Sequence, residues 1–358
     1  MGAGATDGTI AVREGEDFDR ARVLDFLRAR LGDLPDGPLA VRQFPSGASN
    51  LTYLLQSGDW EAVLRRPPLG PLPPKAHDMV REARLLERLH AVYPLAPNPR
   101  AICDDPAIIG APFYVMERRR GVVLDDRFPP GFDPTPARCR RISESVVAAL
   151  AQFHAIDWRA AGLAALGYPD GFLARQVRGW IGRYDAARTP DAPEIAPLAE
   201  WLTARLPTSP APTIIHNDFK LNNLLLAPGD LAPVVAVLDW EMTTIGDPLF
   251  DLGVSLSYWV ESADPPGLRA ILPTVTDTPG FYSRREFMAR YAALSGRDLG
   301  AIDYYLTLAY FKLATILQQI YARWQRGQTR DERFGTFGPG VRALIAHATG
   351  RAENSRES

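Results

Sequence analysis

The segment Ile215–Glu241 reads IHNDFKLNNLLLAPGDLAPVVAVLDWE. It gathers His216, Asp218, Lys220 and Asn223 into one short polar stretch and closes a later apolar run on Asp239. Around the polar stretch lie Thr213-Ile214-Ile215, Leu224-Leu225-Leu226 and the β-rich run Pro233–Leu238. Short runs of β-branched and aliphatic residues read as strands. Ala227-Pro228-Gly229-Asp230, between the last two runs, is turn chemistry. The expected order is therefore strand, polar loop, strand, turn, strand, aspartate. An ordinary β-hairpin with solvated Asp and Asn at its ends would use the same residue types, so the spacing has to separate the two readings.

That spacing is His-x-Asp-x-x-x-x-Asn with a further aspartate ending the last strand, the arrangement of a kinase catalytic loop. Phosphoryl transfer needs one carboxylate to orient the attacking hydroxyl and take its proton. It also needs oxygen ligands that hold magnesium against the triphosphate. Asp218 suits the first task, and Asn223 and Asp239 suit the second. Lys220 would lie near the γ-phosphate and offset charge developing during transfer. His216 is read as a side chain that braces the loop rather than as an acid or base. Trp240–Gly253 (WEMTTIGDPLFDLG) then brings Asp247 and Asp251 close behind Asp239. Asp251 is expected to cap the following helix and brace the catalytic loop. A protein kinase would carry a longer segment here, ending in Ala-Pro-Glu. None follows, so the acceptor is expected to be a small molecule.

The motifs HNDFKLNN, VLDWE and GDPLFDLG resemble the aminoglycoside phosphotransferase family of kinase-like enzymes, which also includes choline and homoserine kinases. The resemblance covers nearly the whole chain. Val63–Leu89, Phe113–Glu117 and Ile320–Thr329 are similar to one branch in particular. It comprises the kinase-like domain fused to acyl-CoA dehydrogenases in some animals, with its stand-alone bacterial relatives. The resemblance implies an α+β, bilobal protein-kinase-like fold with a small β-rich N-terminal lobe and a larger, mostly helical C-terminal lobe. ATP and Mg2+ would be the cofactors, with ATP in the cleft between the lobes. We expect residues 1–117 to form the first lobe and 118–358 the second, the latter carrying the catalytic segment 215–241.

Composition agrees. A chain of 358 residues with 46% hydrophobic content can bury a sizeable core or two lobes. A net charge of −2 gives no global basic field for nucleic acid or a membrane surface. Cys103 and Cys139 cannot build a disulfide framework, which fits a reducing cytoplasm. No apolar run is long enough to span a bilayer, and MGAGATDGTI lacks the hydrophobic stretch of a signal peptide. Gly2 and Thr6 satisfy the loose N-myristoylation pattern, which small flexible residues match by coincidence. No Gly-x-x-x-x-Gly-Lys-Ser/Thr motif supports P-loop chemistry.

In the expected first lobe, Asp17–Leu31 has the periodicity of an amphipathic helix stopped by Gly32. Leu39–Phe44 and Leu51–Gln56 read as strands joined by a Pro45–Asn50 turn that would cover the nucleotide. Gly47 permits a tight turn there, and Ser49 and Asn50 could add donors to its backbone N–H groups. Glu61–Arg65 should deliver a cation to the α- and β-phosphates. The family usually has lysine at this point, whereas this chain has Arg65, which can grip phosphate through two donors. Basic usage is lopsided throughout, with three lysines against 37 arginines. Glu82, on the expected helix Ala76–His90, falls where the family places the carboxylate partner of that cation, with Glu87 as a rival. Met116, Glu117 and Arg118 mark the expected hinge, where backbone groups would read the adenine edge.

The second lobe is expected to be mostly helical, from Ser143–Asp157, Phe172–Tyr184, Ile195–Leu206, Arg284–Leu294 and Ile302–Arg326. Ser143 reads as a cap and His154 as a packed helix residue. Lys312, Arg323, Arg326, Arg330 and Arg333 outnumber Asp331 and Glu332 toward the end of the chain. Such a basic wall suits an anionic acceptor, such as a coenzyme A thioester, better than a polycationic aminoglycoside. The branch resemblance implies hydroxyacyl-CoA-type acceptors, with Arg323 and Arg326 as substrate contacts. A solvated basic helix face would look the same. The alternatives are aminoglycoside, choline or homoserine phosphorylation, or a catalytically silent kinase-like module that binds nucleotide.

Overall fold

The computed structural model describes residues 8–45, 50–70, 77–329 and 331–355. Ser49 and Arg330 lie outside the described residues. The chain forms two compact units: one runs to Arg120 and regains Ala236–Glu241, and the other takes Gly121–Val235 and the chain from Met242. The last residues of the catalytic segment, Asp239 among them, therefore belong to the first unit.

In the first unit the strands are β1 (Ala40–Gln43), β2 (Leu51–Ser57), β3 (Trp60–Arg66), β4 (Pro99–Cys103) and β5 (Phe113–Glu117). They make an antiparallel sheet in the order β1-β2-β3-β5-β4. Successive side chains of a strand point to opposite faces. Ala62 and Leu64 of β3 thus join a core with Val23, Phe26 and Leu27 of helix α1 (Arg20–Arg28). Arg65 points the other way, beside its cross-strand partner Tyr114. Helix α2 (Met79–His90) is capped by Asp78, whose carboxylate accepts the Arg81 N–H at 2.9 Å. Its buried side carries Glu82, Leu85, Leu86 and Leu89, while Glu87 is exposed. Helix α1 is shorter than its periodicity predicts, because Asp19 accepts the Arg22 N–H and starts the helix later.

The second unit is mostly helical: α3 (Pro136–His154), α4 (Phe172–Ala186), α5 (Ala196–Ala204), α6 (Pro248–Tyr258), α7 (Pro266–Ile271), α8 (Arg284–Ser295), α9 (Ile302–Gln325) and α10 (Phe337–Asn354). Strand β6 (Thr213–Ile215) pairs with β9 (Thr244–Gly246), and β7 (Leu224–Leu226) leads to β8 (Val234–Val237) through a turn. The β6–β9 pairing was invisible in sequence, since neither three-residue strand carries a periodic pattern.

Two expected helix starts are corrected. Helix α3 begins at Pro136, not Ser143, because Thr135 caps it and proline suits the first turn, where its missing N–H costs nothing. Ser143 is instead buried mid-helix, donating to the Cys139 carbonyl and accepting the Tyr282 N–H. The cap of α6 is Asp247, which accepts the Leu249 N–H at 2.9 Å, and not Asp251.

Helices α6 and α9 cross in close contact at Gly253. A Cβ built there would sit 2.8 Å from the Tyr305 carbonyl oxygen and 2.9 Å from its carbon. Both are helix backbone and cannot swing aside. Gly253→Ala should therefore destabilise the protein by about 1–3 kcal/mol, the usual cost of overpacking, measured as a lower urea midpoint at unchanged slope.

Candidate active site

The loop between β6 and β7 owes its shape to one buried carboxylate. Asp251 is fully buried in the first turn of α6. Its Oδ2 accepts the His216 N–H at 2.7 Å and its Oδ1 accepts the Asn217 N–H at 2.7 Å. His154, at the end of α3, brings Nε2 within 3.0 Å of Oδ2, and its Nδ1 contacts the Tyr291 hydroxyl at 2.7 Å. His154 is thus a packed helix histidine that braces the loop through Asp251. Burial raises the Asp251 pKa, but the hydrogen bonds and positive charge around it outweigh that and hold the carboxyl below the usual range. His216 is fully buried, edge-on to Phe153 and Phe219.

Asn217 adopts φ 67°, a left-handed conformation that Asn tolerates better than most residues. Its side-chain NH2 donates to the Met242 carbonyl at 2.8 Å. Next in the chain, the Asp218 carboxylate lies 3.0 Å from Lys220 Nζ through Oδ2. Asn223 donates its NH2 both to that oxygen, at 2.9 Å, and to the Asp218 carbonyl, at 2.8 Å. Lys220 also faces the ring of Tyr258, whose hydroxyl burial pushes up to about 12, with the Asp218 charge adding to the rise. The second unit therefore brings Asp218, Lys220 and Asn223 together.

In the first unit the centre is Arg65. Its Nη2 lies 2.5 Å from Asp239 Oδ1 and its Nη1 3.5 Å from Glu82 Oε1. Glu82 is buried, and its Oε1 accepts the Tyr114 hydroxyl at 3.1 Å. Burial pushes Glu82 upward more strongly than Arg65 pulls it down. Burial opposes the charge on Arg65, yet Glu82, Tyr114 and Asp239 more than restore it and hold the guanidinium above its usual pKa. Asp239, two residues beyond β8, takes φ 66°, an uncommon value that marks the backbone there as constrained.

The other expected nucleotide contacts are occupied within the same unit. Asn50 is buried, and its NH2 donates to Glu241 Oε2 at 2.8 Å while His77 Nδ1 approaches its Oδ1 at 3.0 Å. Glu117 exchanges bonds with Asn98: its N–H reaches the Asn98 carbonyl at 2.9 Å, and its carboxylate accepts the Asn98 N–H at 2.8 Å. Arg118 donates to Glu61 at 2.6 Å, and Met116 is buried in β5.

Lys312 is not part of a solvent-facing basic wall. It is 3% exposed, in the middle of α9. Arg323 and Arg326 are exposed at the far end of that helix, where Arg326 donates to the carbonyls of Ala186 and Arg188 at 3.4 Å. At the 1.5 Å rise of a helix they lie about 16 Å and about 21 Å beyond Lys312 along the axis. The contacts of Arg65 with Asp239 and Tyr114 and of Lys312 with Asn217 escaped sequence reasoning, because strand alternation and helix packing bring them in from distant positions. The aspartates at 247 and 251 were the one local signal.

The Phosphotransferase enzyme family model matches residues 40–287, a span that includes both groups of residues. The chain belongs to that phosphotransferase family. It is 35% identical over 322 residues to Acyl-CoA dehydrogenase family member 10 of Mus musculus, covering 89% of this chain and 30% of that protein. To Acyl-CoA dehydrogenase family member 11 of Gallus gallus it is 34% identical over 345 residues, covering 94% and 44% respectively. The chain thus spans less than half the length of these relatives. A crystal structure from Ralstonia eutropha, of a protein named after the aminoglycoside phosphotransferases, superposes with a TM-score of 0.81 at 29% identity, covering 94% of this chain and 99% of that one. The kinase-like fold implied by the family resemblance is the fold observed, and the likeness to the kinase-like branch with acyl-CoA dehydrogenase fusions holds. Among the described residues no helix is long and apolar enough to cross a membrane.

Proposed function

We propose that this phosphotransferase moves the γ-phosphate of Mg-ATP to a hydroxyl of a small, anionic acceptor of the hydroxyacyl-CoA type. The observation that carries the reading is the Asp218 carboxylate, fixed between the Lys220 ammonium at 3.0 Å and the Asn223 amide at 2.9 Å. A carboxylate so held can orient a hydroxyl and take its proton as the oxygen attacks phosphorus. A new oxygen–phosphorus bond forms to the acceptor, the bond to the leaving diphosphate breaks, and the proton passes to Asp218. Lys220 offsets the negative charge that develops on the transferred group.

The donor set suits magnesium. With its NH2 committed to Asp218, Asn223 offers its carbonyl oxygen, and Asp239 offers a carboxylate oxygen. Both are hard ligands. Among the described residues no cluster of three or more His, Cys, Asp or Glu forms a dedicated metal cage. When bound, Mg2+ would neutralise phosphate charge.

Arg65, steadied by Glu82, is the proposed cation for the α- and β-phosphates, with backbone groups at residues 116–118 proposed to read the nucleotide. A guanidinium partnered by two carboxylates occupies the place of a family lysine, which favours a working site over a silent module. Arg65→Lys should keep the charge but lose one of the two directed contacts. The expected result is a rise of about tenfold in the nucleotide KM with a smaller change in kcat, read from steady-state kinetics.

An acceptor contacting both Asp218 and the exposed Arg323 or Arg326 must be long, which suits a thioester with a phosphorylated tail better than choline or homoserine. The test is transfer of labelled γ-phosphate from Mg-ATP to hydroxyacyl-CoAs, aminoglycosides, choline and homoserine. Label in a hydroxyacyl-CoA supports the reading. Label only in another acceptor overturns the acceptor class, and nucleotide binding with no transfer to any of them favours a silent module.

A further inference from the structure

A lysine buried in the middle of a long helix is costly to keep charged, and this one has no salt-bridge partner within its own helix. Lys312 is 3% exposed, and its Nζ donates to the Asn217 carbonyl at 2.7 Å. Its ammonium sits 5.7 Å from the Trp180 ring centroid and 5.8 Å from that of Phe250, so α4 and α6 sheath it with aromatic faces. Asn217 is then gripped at three points: its N–H by Asp251, its side-chain NH2 by the Met242 carbonyl and its own carbonyl by Lys312. The gripped residue has left-handed φ and immediately precedes Asp218.

We propose that Lys312 is a positioning residue for phosphoryl transfer: by holding the Asn217 carbonyl from α9, it fixes the backbone that presents the Asp218 carboxylate. The inference rests on the role given to Asp218 above. Three contacts converge on one residue, from α6 through Asp251, from the turn ahead of β9 through Met242, and from α9 through Lys312. Asp251 and Met242 set the conformation of Asn217, and Lys312 removes the remaining rotation of its carbonyl. A neutral side chain of similar length would fill the same space without that bond.

The charge has a consequence of its own. Burial pushes the Lys312 ammonium down to about 8, against the pull of Asp218 and Asp251 and with the push of Lys220 and Arg183. Above about pH 8 the ammonium loses its proton, and its bond to the carbonyl weakens. A fall in kcat centred near pH 8 is therefore expected in the native enzyme.

The test compares the native chain with Lys312→Met, Lys312→Gln and Asp218→Asn, using Mg-ATP with water as the probe acceptor. The measurements are phosphate release, thermal midpoint, pH profile and hydrogen–deuterium exchange across residues 213–224. Methionine fits an aromatic-lined slot, so the midpoint should hold or rise. For Lys312→Met, kcat should fall about 10- to 100-fold at unchanged nucleotide KM, amides 216–218 should exchange faster, and the alkaline limb should vanish. Lys312→Gln keeps a donor and should fall between the two; it also serves if the methionine variant does not fold. A Lys312→Met enzyme with native kcat, or one with faster exchange but native kcat, overturns the inference. If Asp218→Asn itself retains native turnover, the role of Asp218 fails instead, whatever Lys312 does.

Discussion

Asp218→Asn is expected to lower kcat by about a thousandfold while leaving nucleotide affinity within about a factor of two. The substitution is nearly isosteric. An asparagine oxygen can still accept from Lys220 or the Asn223 amide, as the Asp218 carboxylate now does at 3.0 and 2.9 Å. The loop should therefore keep its shape, because its conformation is held elsewhere, through the main-chain N–H groups of His216 and Asn217. What disappears is the ability to take a proton from the acceptor hydroxyl. Arg65, the group proposed to hold nucleotide phosphates, takes its partners from Glu82 and Asp239, and the substitution leaves both in place. Steady-state kinetics and calorimetric titration with a non-hydrolysable ATP analogue separate the two effects. Turnover within tenfold of the native enzyme would remove Asp218 from the chemistry.

The largest stability effect is expected at Asp251. Asp251→Asn keeps the volume but exchanges one acceptor oxygen for an NH2. Two buried backbone donors, from His216 and Asn217, and the His154 ring nitrogen all address the carboxylate. At least one donor would face another donor with no water to turn to. An unsatisfied buried donor costs about 1–3 kcal/mol. Removing one partner from a buried charge network costs about 3–5 kcal/mol. We therefore expect a loss of about 3 kcal/mol, accompanied by loss of turnover, because the same bonds shape the Asp218 loop. The carboxyl is held below its usual range in the folded chain, so its contribution is complete above the unfolded pKa of about 4. It is lost as the pH falls through the lower folded value. The native and variant denaturation midpoints should thus differ most at neutral pH and converge in acid. Equal stability at pH 7 would show that the loop does not depend on Asp251.

Much of this was legible in sequence because the relevant signals are local. The strands on either side of the 216–223 loop, the turn at 227–230 and the aspartate ending the next strand all lie within one short stretch, where spacing and turn chemistry suffice. The residue types at 218, 223 and 239 are those that proton transfer and magnesium call for, and the resemblance of the motifs that carry them to a known family implied the fold. Even the two misplaced helix starts involved local caps: Thr135-Pro136 ahead of α3, and Asp247 ahead of α6, were present in sequence but outranked by a more apolar stretch downstream.

What only the tertiary structure decided is which partners these residues have. The family resemblance implied Glu82 as the partner of Arg65, but only the folded first unit adds Asp239 to that guanidinium. Lys312 shows the difference most clearly. On sequence it joined a basic tail with Arg323 and Arg326, because helical periodicity does not say which face a neighbouring helix will cover. Packing of α4 and α6 against α9 buried it instead, with the Asn217 carbonyl as its acceptor. Local spacing determines which chemistry a chain can attempt. The long-range crossing of helices, which no short window of sequence contains, determines which side chains are dehydrated and hold the reacting group in place.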